Sequence, residues 1–173
     1  MRRTLSTTSG CVGHSSRGGS DSEAQTDPLT GLPNRRAWDA ELEKALAEDG
    51  PLAIAMLDLD HFKEFNDTFG HPAGDRLLKE TAAAWRDELR GGDLVARLGG
   101  EEFGLLLRGC GVDAAAEVTE RARRRVSHER TCSAGVVIAS PGEHADAVVA
   151  RADAALYEAK SRGRDGIHLA TSV

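Results

Sequence analysis

The run Leu52-Ala53-Ile54-Ala55-Met56-Leu57 constrains the fold of this chain more than any other stretch. Six apolar residues with no polar interruption suit a strand buried on both faces, and such a strand needs layers packed above and below it. The run stops at Asp58-Leu59-Asp60. Side chains alternate along a strand, so Asp58 and Asp60 share one side and Leu59 takes the other. Acids at the end of a buried strand mark either a site or a return to solvent.

A second constraint lies downstream. The runs Asp93–Leu98 and Phe103–Leu107 read as two short strands, and Gly99 and Gly100 between them supply the positive φ angles of a tight hairpin turn. Paired glycines also let a ligand approach bare backbone. Glu101 and Glu102 then stand as adjacent carboxylates just past the turn. They suit a divalent cation or a proton transfer, and they equally suit plain solvation; a short G-G-E-E stretch alone does not decide among these.

Helices fill the intervals. Asn34 is placed to cap a helix from Arg35 to about Glu48 with Ala37, Trp38, Leu42 and Leu46 on its apolar side. After Asp60 comes a short helix with Phe62, Phe65 and Phe69 spaced for one core-facing side, and Asp60 is expected to cap it. Pro72 to Leu89 forms a longer helix striped by Leu77, Leu78, Ala82, Trp85 and Leu89. Asp113 to about Val126 is a helix ending in Arg121, Arg123, Arg124 and Arg125, which read as a solvated face. A strand over Thr131–Ser140, a helix over Ala145–Lys160 and an edge strand over Gly166–Ala170 complete the order. Helices between strands, with one antiparallel hairpin, predict an α/β fold: a mixed central sheet of about five strands covered by helices. In such a sheet the Asp58 strand end and the Glu101 turn meet at one edge.

Composition narrows the class. The chain has 173 residues, which favours one ordered domain, here residues 26–173, behind a Ser- and Gly-rich tail over residues 1–25 that is expected to be disordered. A formal net charge of -6 argues against binding a nucleic-acid polymer, though not against a nucleotide, which needs only local cations. No apolar run approaches the roughly 20 residues of a membrane span, and Arg2 and Arg3 are followed by no secretory h-region. Cys11, Cys110 and Cys132 form neither a zinc pattern nor a disulfide framework, which favours a reducing cytoplasm.

Five segments in sequence then carry a resemblance. Asp27–Arg35 (DPLTGLPNR), Leu57–Asp67 (LDLDHFKEFND), Phe69–Asp75 (FGHPAGD), Arg97–Phe103 (RLGGEEF) and Ala154–Lys160 (AALYEAK) resemble, in order and spacing, the signatures of the GGDEF domain, the diguanylate cyclase family, from about Asp27 to Leu169. Glu101 stands where the motif often has Asp, a variant the family also uses. The resemblance implies a ferredoxin-like, palm-type core and a chemistry: two GTP condense to cyclic di-GMP with loss of two pyrophosphates, each protomer of a homodimer holding one GTP. Two magnesium ions (manganese as a substitute) suit such a phosphoryl transfer, since magnesium takes oxygen ligands from one or two carboxylates plus phosphates.

Carried over by position, Asp58, Glu101 and the Leu59 carbonyl resemble the metal ligands. Glu102 resembles the acid that joins in metal binding or in activating the 3′-hydroxyl. Gly99 and Gly100 match the turn against the nucleotide, Asn66 and Asp75 the guanine-reading pair, and Phe62 and Lys63 the loop whose backbone nears the phosphates. Lys160 and Arg164 match the phosphate-gripping pair and share a face if the helix continues past Ser161. Arg90 and Asp93 match the R-x-x-D product-inhibition site. The residues before Asp27 carry no coiled coil or sensor pattern, so low or concentration-dependent activity is expected, and residues 126–132 form a trimmed loop. The rival reading is a catalytically silent GTP- or cyclic-di-GMP-binding module; a cyclase with a mononucleotide product is a third.

Overall fold

A computed structural model describes residues 25–170. The expected tail, with Cys11 and His14, lies outside the described residues apart from Gln25. The elements run α1 (Arg35–Ala47), β1 (Leu52–Leu59), α2 (Phe62–Phe69), α3 (His71–Glu88), β2 (Leu94–Gly99), β3 (Glu102–Arg108), α4 (Val112–Arg123), β4 (Cys132–Ile138), α5 (Ala145–Ser161) and β5 (Ile167–Ala170). The sheet order is β2-β3-β1-β4-β5. All pairings are antiparallel except β4 with β5, so the sheet is mixed and has five strands, as expected.

β1 sits at the centre and every one of its residues is buried. Its two faces sort by parity. Ala53, Ala55, Leu57 and Leu59 join the core formed with Leu77, Leu78, Ala82 and Trp85 of α3 and with Ala115 and Ala122 of α4. Leu52, Ile54 and Met56 join the other core, with Trp38 and Leu42 of α1 and Val148, Ala152 and Leu156 of α5. Asp58 has the parity of Ile54 and Met56, so the alternation of the strand turns it to the α1/α5 face. Trp85 pins the opposite layer: its ring meets Phe103 edge-on at 4.9 Å and its indole N–H donates to the Ala122 carbonyl at 2.6 Å.

Three expectations about side chains are corrected. Phe65 is buried, but Phe69 is 58% exposed and stacks on Phe65 at 4.8 Å rather than entering the core. The eight-residue α2 packs against α3, and its last residue, Phe69, is left open to solvent. The arginines of α4 and its C-terminal end are not simply solvated. Arg121 and Arg125 pair with Glu88 of α3, Arg124 pairs with Glu120, and Arg123 pairs with Glu120 and Asp165. Finally, Asp60 does not cap α2, whose N-cap His61 makes no side-chain capping bond. Its buried carboxylate accepts instead from the hydroxyls of Thr131 and Ser133, both at 2.7 Å, and from the Asp165 N–H at 3.0 Å. Asp60 is therefore structural, as expected, but it fastens the loop after α5.

Candidate active site

The register of the sheet assembles the acids. Asp58 is the cross-strand partner of Glu102 in the β1/β3 ladder, and the Leu59 N–H donates to the Glu101 carbonyl at 3.3 Å. Gly99 still pairs with Glu102 across a bulge, so the turn proper is Gly100-Glu101. Glu101 thus stands inside the turn and Glu102 opens β3, whereas both were expected beyond it. Gly100 has φ 45°, left-handed backbone that a glycine adopts without strain.

Arg97 holds this turn. Its guanidinium donates to the Gly100 carbonyl at 2.8 and 3.0 Å and to both carboxylate oxygens of Asp27 at 3.1 Å. Residues 27 and 97 both lie within the family-like segments, yet neither was singled out as a site residue. The signal for them was their type: an Arg can fork onto two acceptors at once, but only the fold shows which.

Beside the turn is a cleft of about 170 Å³. Asp58, Leu59 and Glu101 line it from the sheet, and Phe62 and Lys63 from the first turn of α2. Lys160 and Arg164 line it from the end of α5. Seven of the expected site residues meet there. Lys160 Nζ lies 3.0 Å from Asp58 Oδ2. Arg164 arrives by a different route from the one expected. α5 ends at Ser161, and Arg164 stands in a left-handed loop (φ 63°) whose next residue donates to Asp60. A continuing helix does not place it on the face of Lys160; the Asp60-anchored loop does.

The remaining expected residues lie outside that cleft. Glu102 is exposed at the start of β3, and Gly99 and Gly100 are exposed at the turn. Asn66 faces Gly74 so closely that a Cβ there would lie 1.8 Å from its Oδ1, and that buried oxygen has no hydrogen-bond partner. Asp75, exposed on the first turns of α3, follows Gly74 directly. The pair is brought together at the α2/α3 junction, with an acceptor left open on Asn66.

Burial raises the Asp58 carboxyl above its usual range, and the charges of Glu101 and Glu102 push the same way, against the bond and charge of Lys160. A raised carboxyl contributes stability below the ordinary carboxylate range and loses it as pH rises through the folded pKa. In metal-free buffer at about pH 7, Asp58→Asn is therefore expected to unfold no more readily than the parent chain, with the two converging as pH falls toward about 4. Urea unfolding across that range checks this; a clear loss of stability at neutral pH would mean that the Lys160 pair outweighs burial.

At the other end of β2, roughly 20 Å away by strand rise, Arg90 donates to Asp93 at 3.2 Å, to the Arg108 carbonyl at 2.7 Å and to Cys110 Sγ at 2.9 Å. The Asp93 side chain is buried and its Oδ1 has no partner. Arg90 and Asp93 line a cleft of about 310 Å³ with Leu32 and Pro33.

A family model described as diguanylate cyclase, GGDEF domain, matches residues 24–166. The chain belongs to the GGDEF domain family. It is 45% identical over 162 residues to the diguanylate cyclase DgcP of Pseudomonas aeruginosa, a match covering 86% of this chain and 24% of DgcP. The chain thus spans about a quarter of that relative's length. Among solved structures, diguanylate cyclase SiaD of Pseudomonas aeruginosa, in complex with its activator SiaC, is 43% identical with a TM-score of 0.80, covering 87% of this chain and 63% of that one. The coiled coil and GGDEF domain of DgcB from Caulobacter crescentus, in complex with c-di-GMP, is 36% identical with a TM-score of 0.81, covering 87% and 88%. In this GGDEF domain the signature turn reads Gly99-Gly100-Glu101-Glu102-Phe103.

Proposed function

We propose that this GGDEF domain condenses two GTP molecules into cyclic di-GMP with release of two pyrophosphates, using magnesium, as a homodimer. The observation that carries the reading is the one cleft where the β1 end, the G-G-E-E turn and the cations of α5 converge. The donors fit a hard cation: Asp58, Glu101 and the Leu59 carbonyl offer oxygen only, and burial, with the charges of Glu101 and Glu102 beside it, raises the Asp58 carboxyl. Among the described residues no group of three His, Cys, Asp or Glu side chains is disposed to hold a metal by itself, which suits an ion that takes its other ligands from substrate phosphates. When bound, magnesium would offset triphosphate charge and favour ionisation of the attacking 3′-hydroxyl.

The chain's own groups divide the remaining work. Lys160 and Arg164 hold phosphate oxygens, and the N–H groups of the first turn of α2, at Phe62 and Lys63, face the same charge. The open acceptor of Asn66 and the carboxylate of Asp75 receive the N1 and N2 donors of guanine. Glu102 stands beside Asp58 across the ladder, placed to take part in metal binding or in activating the hydroxyl. One cleft serves one nucleotide, and joining two requires two protomers face to face. Arg90 and the unpartnered Asp93 oxygen take the product as an inhibitor. The free thiols Cys110 and Cys132 suit the reducing cytoplasm, where GTP is available.

Incubation with GTP and magnesium over a series of protein concentrations, with products separated by chromatography, tests the reading. Cyclic di-GMP rising faster than linearly with protein is expected. Folded protein that binds GTP or cyclic di-GMP and makes no product at any concentration would favour the silent binding module instead. Arg90→Ala is expected to lift the plateau that accumulating product imposes, and an unchanged plateau would remove Arg90 from product control.

A further inference from the structure

We infer that Lys160 doubles as a cation surrogate: without nucleotide it occupies Asp58, and a triphosphate draws it off, so that nucleotide and divalent cation bind cooperatively. The inference rests on the cyclase reading and deepens it. Lys63, Lys160 and Arg164 bring three cations to the cleft. Lys160 is paired to Asp58 at 3.0 Å, whereas Arg164 makes no ion pair among the described residues. Glu101, in the same cleft, has no ion pair either. Of Asp58 and Glu101, the acid that is paired is therefore the more buried one, with its side chain 10% exposed, and its partner is a side chain from another element.

The fold enforces this pairing. Asp58 has the parity that faces α5, and α5 rides directly on the backbone of β4 at Gly135, where a Cβ would lie 2.1 Å from the Leu156 N. The position of the last turn of α5, and of Lys160 on it, is thereby set. Yet the ammonium is on a flexible four-carbon stem with a third of its surface open, so it can turn to a phosphate without any movement of the helix. Once it turns, Asp58 and Glu101 stand bare together, a cost that only an arriving cation removes. The coupling is reciprocal: whatever factor the nucleotide adds to cation affinity, the cation adds to nucleotide affinity.

Manganese binding, followed by the electron-spin resonance of free Mn²⁺, tests this with and without a non-cleavable GTP analogue. The parent chain should bind Mn²⁺ weakly alone, and the analogue should tighten it by roughly 5- to 150-fold. Lys160→Met and Lys160→Gln should bind Mn²⁺ alone roughly 10-fold more tightly than the parent, show an analogue effect smaller by about that same factor, and lose all gain when combined with Asp58→Asn. Arg164→Gln removes the same charge from the same cleft but not from Asp58, and should change Mn²⁺ affinity far less. Lysine variants that bind Mn²⁺ no more tightly than the parent, or an Arg164→Gln variant that gains as much as they do, would overturn the surrogate role while product formation from GTP leaves the cyclase reading standing. No Mn²⁺ uptake by any variant, with no product from GTP, would overturn both.

Discussion

Replacing Glu101 by alanine is expected to lower cyclic di-GMP formation by at least about 1000-fold, as removal of a charge-positioning group in a phosphoryl-transfer site does. The fold should survive. Glu101 occupies the turn and is only half-buried, and its bond to the sheet is the one its backbone carbonyl accepts from the Leu59 N–H, which alanine keeps. Glu101 lines the cleft beside Asp58. The change therefore removes one of the two carboxylates proposed as metal ligands and leaves Asp58 on Lys160. Product chromatography at saturating GTP, alongside thermal unfolding, separates the two effects. A variant that keeps a tenth or more of the parent turnover with an unchanged melting curve would take Glu101 out of the chemistry.

Gly135→Ala is expected to cost about 3 kcal/mol or more of stability, at the upper end of what overpacking does. A Cβ at this position in β4 would lie 2.1 Å from the Leu156 N, 2.4 Å from the Ala152 O and 2.6 Å from the Ala155 C. These are backbone atoms of α5, so no side-chain rotation relieves the clash, and the helix must lift from the sheet. At about 2–4 °C per kcal/mol for a chain of this size, the melting point should fall by roughly 10 °C. Because Lys160 sits on the last turn of that helix, surviving folded protein should also bind GTP more weakly. Urea titration with an unchanged slope and a lowered midpoint is the expected signature. A loss below about 1 kcal/mol would mean that α5 adjusts on β4 more freely than close-packed backbone normally does.

Much of the architecture was legible because it rests on local patterns. The unbroken apolar run over residues 52–57 could only be a central strand with layers on both faces, and β1 is flanked by β3 and β4 with helices on each side. The pair Gly99-Gly100 announced a hairpin because few other residues accept its backbone angles, although the bulge that moved Glu101 into the turn depends on strand twist and partner, which no short window encodes. Phe69 misled for a related reason. Helical spacing shows which residues share a face of α2, but whether a layer covers the last turn depends on where α2 lies against the sheet.

The candidate site divides along the same line. Sequence by itself determined the kinds of group available, their local order and the family they point to: the acids at 58, 101 and 102, the amide at 66, and the cations at 160 and 164. Their types and spacing follow from strand alternation, turn chemistry and helix periodicity, all of which act over a few residues. Only the tertiary structure decided that Asp58 faces Lys160, that Arg97 ties the N-terminal Asp27 to the Gly100 turn, and that Asp60 fastens the loop carrying Arg164. Those contacts join residues far apart in the chain, and their partners are selected by sheet register and helix packing, which exist only once the two cores have closed around β1.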